Sequence, residues 1–220
     1  MIPHGGSMPE KAAVQLTHLS PETQSHTFAG VEVVRWPSDD GLMVEGLLLK
    51  PPDAAQKAGV AVSTANDTHV GAAAAAAAHP LITFTHCGPA MAVLQTFIGY
   101  GSVCARFPLE IWAERGYSVL MPNYRGSTGY GRSFRRADRH DWGGGDYNDV
   151  FSGVTHMVKS GQANPAKLAH VGWSYGGYMS ALALGKVKSS HGITLQAVCT
   201  GECRPAVARR RMPVKPTRVT

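Results

Sequence analysis

The stretch "LAHVGWSYGGYMSALAL" (168–184) decides the fold, because its hydrophobic pattern changes abruptly at Ser174. The residues before Ser174 form a short apolar run typical of a buried strand, and the residues after it have helical spacing. Gly172 and Gly176 flank Ser174, and glycine permits the tight turn and close packing that such a change requires. The stretch therefore predicts a strand, a sharp turn and a helix.

Apolar runs and helical patterns alternate along the rest of the chain. The predicted strands are residues 31–37, 42–50, 81–86, 117–122, 168–173 and 193–198, and the predicted helices are 108–116, 150–161 and 174–186. An Asp-Gly step between the first two strands favours a hairpin turn. Asp146 or Asp149 is suited to cap the second helix. The alternation predicts an α/β fold with a mostly parallel sheet and helices on both faces.

Three regions of different composition are expected. Residues 1–30 form a poorly ordered leader, residues 31–198 form the folded domain, and residues 199–220 form a basic tail. Within the domain, residues 52–80 contain seven consecutive alanines and have no amphipathic period. We expect a flexible insertion there rather than an ordered helix, because an alanine run has no large apolar face to dock.

Length and composition favour one globular domain of 220 residues with 44% hydrophobic content. The first residues lack the apolar run of a signal peptide, and no stretch approaches the roughly 20 apolar residues that span a bilayer. We therefore expect a cytoplasmic protein with no membrane contact. The four cysteines show no C-x-x-C spacing, so reduced thiols are expected.

The net charge of +6 does not indicate nucleic-acid binding. Six basic residues and no acidic one lie from Arg204 to the end, so the remainder of the chain is balanced. A short tail of this kind is typical of a solvated, disordered end, with a localisation signal or a polyanion contact as the alternative.

Ser174 lies in a G-x-S-x-G motif between a predicted strand and a predicted helix, which is the pattern of a nucleophile elbow. Gly177 lets the helix approach its neighbour. The helix N-terminus directs its N–H groups toward the place where an oxyanion would form. The backbone N–H of Tyr175 is one candidate donor. The second is the N–H of Gly88, in the turn after the strand at 81–86.

With these motifs the chain resembles the catalytic domain of the prolyl oligopeptidase family of serine peptidases. Within that family it is most similar to the branch of acylaminoacyl peptidases and dipeptidyl peptidases. The resemblance is carried, in family order, by "SDDGLMVEGLLLKP", "HCGP", "ERGYSVLMPNYRGSTGYGRSF", "WGGGDYNDVFSGV" and "GWSYGGYMSALAL", and covers about residues 31–185. It implies the α/β-hydrolase fold and hydrolysis of a peptide or acyl-peptide bond. Ser174 matches the family nucleophile, and Tyr175 and Gly88 match the oxyanion donors.

Two positions near the site have alternative interpretations. The family turn is usually His-Gly-Gly-Pro, and Cys87 replaces one glycine. A Cβ at that position disfavours a positive φ, so we expect the oxyanion turn to be distorted if glycine is needed there. Cys87 is interpreted as a packed thiol, with a second nucleophile as the alternative. Arg125 is interpreted as scaffolding, with substrate contact as the alternative.

The partners that a catalytic serine needs are missing from the pattern. In this fold the acid and then the histidine follow the serine, whereas only Glu202 and His191 follow Ser174, in the reverse order. We expect His191 to be a surface residue on the far side of the sheet. The family resemblance fades after Val198, so we expect a C-terminally incomplete domain without the triad acid and base.

Two functions from different classes follow. The first is a serine-type peptidase acting on peptide or acyl-peptide substrates, whose chain is inactive alone. The second is a non-catalytic fragment or interaction protein that exposes a strand edge at 193–198. Members of the resembled family carry a β-propeller before this domain, and we expect none in this chain because only about 30 residues precede the first strand. No cofactor and no metal are implied, because His140, Asp141 and Asp146 lack the spacing of a metal site. The oligomeric state is not determined by the sequence.

Overall fold

The computed structural model describes residues 28–52, 78–95 and 107–200. Its strands are β1 Gly30–Pro37, β2 Met43–Lys50, β3 Leu81–Thr85, β4 Ser118–Asn123, β5 Leu168–Gly172 and β6 Ala197–Thr200. Its helices are α1 Leu109–Glu114, α2 Gly131–Arg136, α3 Gly145–Lys159 and α4 Tyr175–His191. Residues 1–27 of the expected leader, 53–77 of the expected insertion and 201–220 of the expected tail lie outside the described residues.

The strands form one sheet in the order β1-β2-β4-β3-β5-β6. β2 is antiparallel to β1 and β4, whereas β3 is parallel to β4 and β5, and β5 is parallel to β6. The predicted α/β class and mostly parallel sheet are confirmed. One consequence matters for the site: β3, β4 and β5 all end at the same edge of the sheet.

The β1–β2 hairpin is closed by the turn that its Asp-Gly step predicts. The N–H of Ser38 donates to the Leu42 carbonyl at 2.8 Å, and the N–H of Gly41 donates to the Ser38 carbonyl at 2.9 Å. Gly41 has a φ of 84°, which glycine adopts without steric cost. The turn presents two acidic residues, Asp39 and Asp40, toward the rest of the domain.

Alternating side chains of the strands form two hydrophobic cores, one on each face of the sheet. α3 and α4 cover the core that contains Trp36 and Leu120, and α1 covers the core that contains Val119 and Met121. Trp36 is fully buried, and its Nε1–H donates to the Asp149 carbonyl at 2.8 Å. Helices therefore lie on both faces, as predicted.

Arg125 joins three separate elements just after β4. Its guanidinium binds both carboxylate oxygens of Asp149 on α3, at 2.9 and 2.7 Å, and both oxygens of Asp40 in the hairpin turn, at 2.7 and 2.9 Å. Its backbone N–H also donates to Asp149 at 2.8 Å. The Arg125 guanidinium lowers the pKa of Asp40 to about 2. All of these contacts favour the scaffolding interpretation of Arg125.

Several predicted boundaries are wrong. α3 begins at Gly145 rather than at residue 150, and neither Asp146 nor Asp149 caps it, because their carboxylates bind partners elsewhere. α4 continues to His191. The last strand begins at Ala197 rather than at residue 193 and continues to Thr200, two residues into the expected tail.

Two further features of the structure were not expected from the sequence. The short helix α2 occupies residues that carried no helical prediction. Cys87 and Cys199 are disulfide-bonded, so the expectation of reduced thiols is wrong for these two residues. Among the helices in the described ranges, none has both the length and the apolar character needed to cross a membrane.

We expect Arg125→Lys to lower the free energy of unfolding by about 2 kcal/mol, because lysine cannot form the two bidentate contacts to Asp149 and Asp40. Urea denaturation measures this as a lower midpoint with an unchanged slope. Arg136→Lys is the matched control, since Arg136 is exposed and forms no ion pair with a described carboxylate. Equal midpoints for the two variants would contradict the prediction.

Candidate active site

Ser174 stands at the junction that its motif predicts. β5 ends at Gly172, α4 begins at Tyr175, and Ser174 occupies the N-cap position between them. Its backbone has a φ of 56° and a ψ of −118°, an uncommon and strained conformation for a residue with a side chain. The serine is exposed. A strained, exposed serine between a strand and a helix is the geometry of a nucleophile elbow.

The elbow depends on glycines because the packed backbones leave no room for a side chain. A Cβ at Gly176 would lie 2.0 Å from the carbonyl oxygen of Thr85, at the end of β3. A Cβ at Gly172 would lie 2.4 Å from the backbone of Gly176. The first turn of α4 thus packs directly on the end of β3. Gly177 is half-buried in the same turn.

The two candidate oxyanion donors follow neighbouring parallel strands. Thr85 pairs with Gly172 across β3 and β5, so the turns containing Gly88 and Tyr175 leave the same edge of the sheet. Tyr175 is the first residue of α4, and its N–H therefore has no acceptor within the helix. Gly88 is exposed.

The oxyanion turn accommodates Cys87. The positive φ in this turn, 131°, falls on Gly88, and Cys87 is not among the residues with positive φ. A Cβ at Gly88 would meet the Ala90 backbone nitrogen at 2.6 Å, so glycine is required there and not at the preceding position. The expected distortion by Cys87 is therefore not observed. Cys87 is buried and disulfide-bonded, which contradicts both its assignment as a thiol and its alternative role as a nucleophile.

His170 on β5 links the two elements that pack at the elbow, β3 and α4, through side-chain hydrogen bonds. Its Nδ1 lies 2.9 Å from Ser180 Oγ on α4, and its Nε2 lies 2.8 Å from Thr85 Oγ1 on β3. Ser180 donates its own hydrogen to the Gly176 carbonyl at 2.9 Å, so its oxygen accepts from Nδ1–H and the Thr85 hydroxyl donates to Nε2. Burial lowers the pKa of His170 to about 3, which keeps the ring neutral.

His86 is held in the oxyanion turn by contacts at both of its ring nitrogens. Its Nδ1 lies 2.8 Å from the Cys87 carbonyl oxygen and its Nε2 lies 3.0 Å from Ser127 Oγ. The ring stacks on Tyr124 at 4.4 Å, and the Tyr124 hydroxyl donates to the His86 carbonyl at 2.9 Å. Burial lowers the pKa of His86 to about 4. Both ring nitrogens are occupied, so His86 serves the scaffold and not Ser174.

Asp146 anchors the side chain that follows the nucleophile. The Tyr175 hydroxyl donates to Asp146 Oδ2, and the N–H of Tyr147 donates to Oδ1 at 2.7 Å. Asp146 is fully buried, and burial raises its pKa. The Tyr175 ring also contacts Trp142, with ring centroids 5.7 Å apart. This anchorage fixes Tyr175, and with it the backbone N–H proposed as an oxyanion donor.

His191 contradicts the expectation of a surface residue. Its side chain is only 5% exposed, and its ring packs against Tyr147 and Phe151. Its Nε2 lies 3.4 Å from Asp39 in the hairpin turn. His191 is the last residue of the 17-residue α4, so about 25 Å of helix separates it from Ser174. It therefore cannot serve as the base for this serine.

The described residues do not contain a recognisable charge relay or metal site. No histidine among them forms a hydrogen bond to Ser174, and no group of three or more His, Cys, Asp or Glu side chains is arranged to hold a metal. Of the residues considered and not favoured as metal ligands, Asp146 binds Tyr175 and Asp141 accepts the N–H of Gly145 at 2.8 Å.

Comparison with known proteins identifies the fold. Residues 105–198 match the model of the prolyl oligopeptidase family. Over these residues the chain is similar to that family. In structure it is similar to an acylaminoacyl peptidase from Pyrococcus horikoshii, with a TM-score of 0.57 and 25% identity over 78% of this chain and 23% of that one. A puromycin hydrolase gives a TM-score of 0.54 and 25% identity over 72% of this chain and 20% of that one. The fold is the α/β-hydrolase fold.

Curated relatives are peptidases that are much longer than this chain. An uncharacterized peptidase of Bacillus subtilis, YuxL, is 32% identical over 74% of this chain and 21% of that protein. The dipeptidyl aminopeptidase BIII of Pseudoxanthomonas mexicana is 37% identical over 48% of this chain and 14% of that protein. The chain thus spans about a fifth or less of the length of these two relatives.

Three contacts that support the site were not predicted from the sequence. They are the His170 bridge, the His86–Ser127 contact and the Asp146–Tyr175 contact. Each joins residues that are 10 to 85 positions apart in the chain. The one available signal was His170 itself, a histidine in the middle of an apolar strand, where a polar group needs partners.

We expect Gly176→Ala to disrupt the elbow, because the new Cβ would meet the Thr85 backbone at 2.0 Å and force α4 away from β3. The urea midpoint should fall, by an amount equivalent to about 3 kcal/mol. Gly185→Ala on the same helix is the matched control, since a Cβ there meets nothing within 4 Å. It should raise stability by about 0.5–1 kcal/mol through helix propensity. A loss of equal size in both variants would contradict the assignment.

We also expect stability to fall as the pH is lowered from 7 to 5. His170 has a folded pKa of about 3, below its ordinary value of 6.5, so the unfolded chain binds protons that the folded chain cannot. The stabilisation is complete above pH 6.5 and is lost as the pH falls toward 3. Urea midpoints of the wild type and His170→Gln, measured at both pH values, test this.

In that comparison His170→Gln should flatten the pH dependence, whereas the exposed His140→Asn should leave it unchanged. Asparagine is chosen because His140 has a φ of 63°, which asparagine tolerates. The raised pKa of Asp146 makes the folded state more stable as the pH falls, which is opposite to the effect of His170. Asp146 is present in all three proteins, so it does not affect the comparison between them. Identical slopes for His170→Gln and the wild type would count against the buried, neutral histidine.

Proposed function

We propose that Ser174 is the nucleophile of a serine-type peptidase site that cleaves peptide or acyl-peptide bonds, and that the chain alone carries the nucleophile and oxyanion half of it. The observation that carries the proposal is the strained backbone of the exposed Ser174, with a φ of 56° between β5 and α4. Strain of this kind persists only where the surroundings maintain it, and it is concentrated at functional sites. The match of residues 105–198 to the prolyl oligopeptidase family supports the class of reaction.

The proposed first step is attack of Ser174 Oγ on the carbonyl carbon of the scissile bond. The oxyanion that forms would accept hydrogen bonds from the N–H groups of Tyr175 and Gly88, at a place where the N-terminus of α4 adds its favourable dipole. The serine must lose its proton to a base. His86 and His170 have both ring nitrogens occupied, and His191 lies at the opposite end of α4, so the proposal assigns the base to a group outside the described residues.

The curated and structural relatives support a peptide substrate. Proteins similar to this chain are named dipeptidyl aminopeptidase, acylaminoacyl peptidase and puromycin hydrolase. The first two of these names denote peptidases. We extend that class to this chain, and no narrower substrate.

Labelling with a fluorophosphonate probe tests the proposal, because this reagent reacts covalently with activated serines. We expect a label on Ser174, located by peptide mass spectrometry and abolished in Ser174→Ala. Ser133→Ala is the matched control, since Ser133 is exposed on α2 and should not affect labelling. Label on several serines in proportion to their exposure would refute the proposed nucleophile.

The pH dependence of labelling tests whether a base assists Ser174 in this chain. Without a positioned histidine, we expect the rate to rise steadily between pH 6 and 9 and to be about a thousandfold or more below that of an intact triad. A plateau with a midpoint near 7 would show that a histidine activates Ser174. The proposed incompleteness of the chain would then be wrong.

A further inference from the structure

An exposed cluster of arginines lies beside the candidate site. It consists of Arg132, Arg135, Arg136 and Arg139, on α2 and the turn that follows it, and all four side chains are exposed. None of them forms an ion pair with a carboxylate in the part of the chain that the structure describes. We refer to these four residues as the arginine surface.

Three of the four acidic residues of the same segment are buried and bind or pack against other partners. Asp146 binds Tyr175, Asp149 binds Arg125, and Asp138 is buried against Gly126, where a Cβ would lie 2.6 Å from its carboxylate. Asp141 is exposed, and its carboxylate accepts the N–H of Gly145. The segment 131–149 therefore directs three of its carboxylates inward and all of its arginines outward.

The helix that carries the arginine surface is connected to the oxyanion turn through the loop that precedes it. β4 is parallel to β3, so the loop that leads from β4 to α2 starts at the same edge of the sheet as the turn holding Gly88. In this loop the N–H of Thr128 donates to the Met91 carbonyl at 3.0 Å, and a Cβ at Gly126 would lie 3.1 Å from Pro89. The N–H of Gly126 in turn donates to the Phe134 carbonyl on α2 at 3.0 Å.

We propose that the arginine surface binds acidic side chains of peptide substrates and so gives the site a preference for acidic peptides. The substrate class rests on the proposed function, whereas the charge preference rests on the four arginines. Clustered charges of one sign beside a site raise the local concentration of ligands of the opposite sign. Each arginine contributes a planar fork of donors that matches a carboxylate.

Fluorescence anisotropy with two labelled peptides measures this preference without any turnover. One peptide carries four glutamates and the other carries four glutamines at the same positions. With the full chain at low ionic strength, we expect the acidic peptide to bind at least tenfold more tightly. The preference should disappear in 0.5 M salt, because exposed charges are then screened within a few ångströms.

Variants locate the effect on the surface. Arg135→Gln combined with Arg136→Gln should weaken binding of the acidic peptide about fivefold, which corresponds to two exposed ion pairs, and leave the neutral peptide unchanged. The matched control is Arg115→Gln combined with Lys167→Gln. These exposed residues lie shortly before the starts of β4 and β5, at the opposite edge of the sheet, and should have no effect.

Three results would overturn the inference: equal binding of the two peptides, equal losses in the two double variants, or tighter binding of a single-stranded oligonucleotide of the same charge. The last result would assign the surface to nucleic acid. Fluorophosphonate labelling of Ser174 is measured separately on the same proteins. If Ser174 is labelled but the protein shows no preference for the acidic peptide, only this inference is refuted. If the protein prefers the acidic peptide but Ser174 is not labelled, only the assignment of the nucleophile is refuted.

Discussion

The close approach of α4 to β3 is the constraint on which the rest of the structure depends. Backbone lies against backbone where Gly176 meets the Thr85 carbonyl, and any side chain there would separate the two elements. Helices ordinarily pack on sheets through side chains at a greater separation, so this contact tilts the start of α4 onto the end of the sheet. Ser174 then has to turn from strand to helix within one residue, which explains its positive φ. The strain at Ser174 is thus a consequence of where two glycines allow the helix to begin.

Strain of one to three kcal/mol at one residue persists only if neighbouring contacts hold it, and three buried polar groups do so. His170 connects β5, β3 and α4 through hydroxyl groups, so the strand before the elbow, its neighbour and the helix after it move together. Asp146 holds the ring of Tyr175 from α3. His86 holds the oxyanion turn against the loop that contains Ser127. None of these groups can move toward Ser174 without leaving a buried polar partner unsatisfied, which costs about 1–3 kcal/mol. Their role is therefore to maintain the site geometry.

Local patterns predicted the features that depend on neighbouring residues, and failed where distant partners decide. The hairpin, the elbow at Ser174 and the glycine turn at Gly88 follow from short motifs, and all are present. The start of α3 was misplaced because Asp146 and Asp149 are common capping residues, yet both are buried within the helix by Tyr175 and Arg125. His191 was assigned to the surface because its buried neighbours, Tyr147 and Phe151, lie some 40 residues earlier. The last strand starts late because Gln196 exchanges hydrogen bonds with the backbone of Leu168 just before Ala197 enters the sheet.

Arg125 shows how a single charged residue can link the scaffold to both the site and its surroundings. Its five donors are shared between Asp149 on α3 and Asp40 in the hairpin turn, so the loop after β4 is fixed from both sides. That loop presses Gly126 toward the oxyanion turn on one side and supports α2 on the other. Because Asp149 and Asp40 are satisfied by Arg125, neither is available to the four exposed arginines that follow in the sequence. Among the described residues, the arginines of α2 therefore have no ion-pair partner, and they follow the loop that leaves the same edge of the sheet as Ser174.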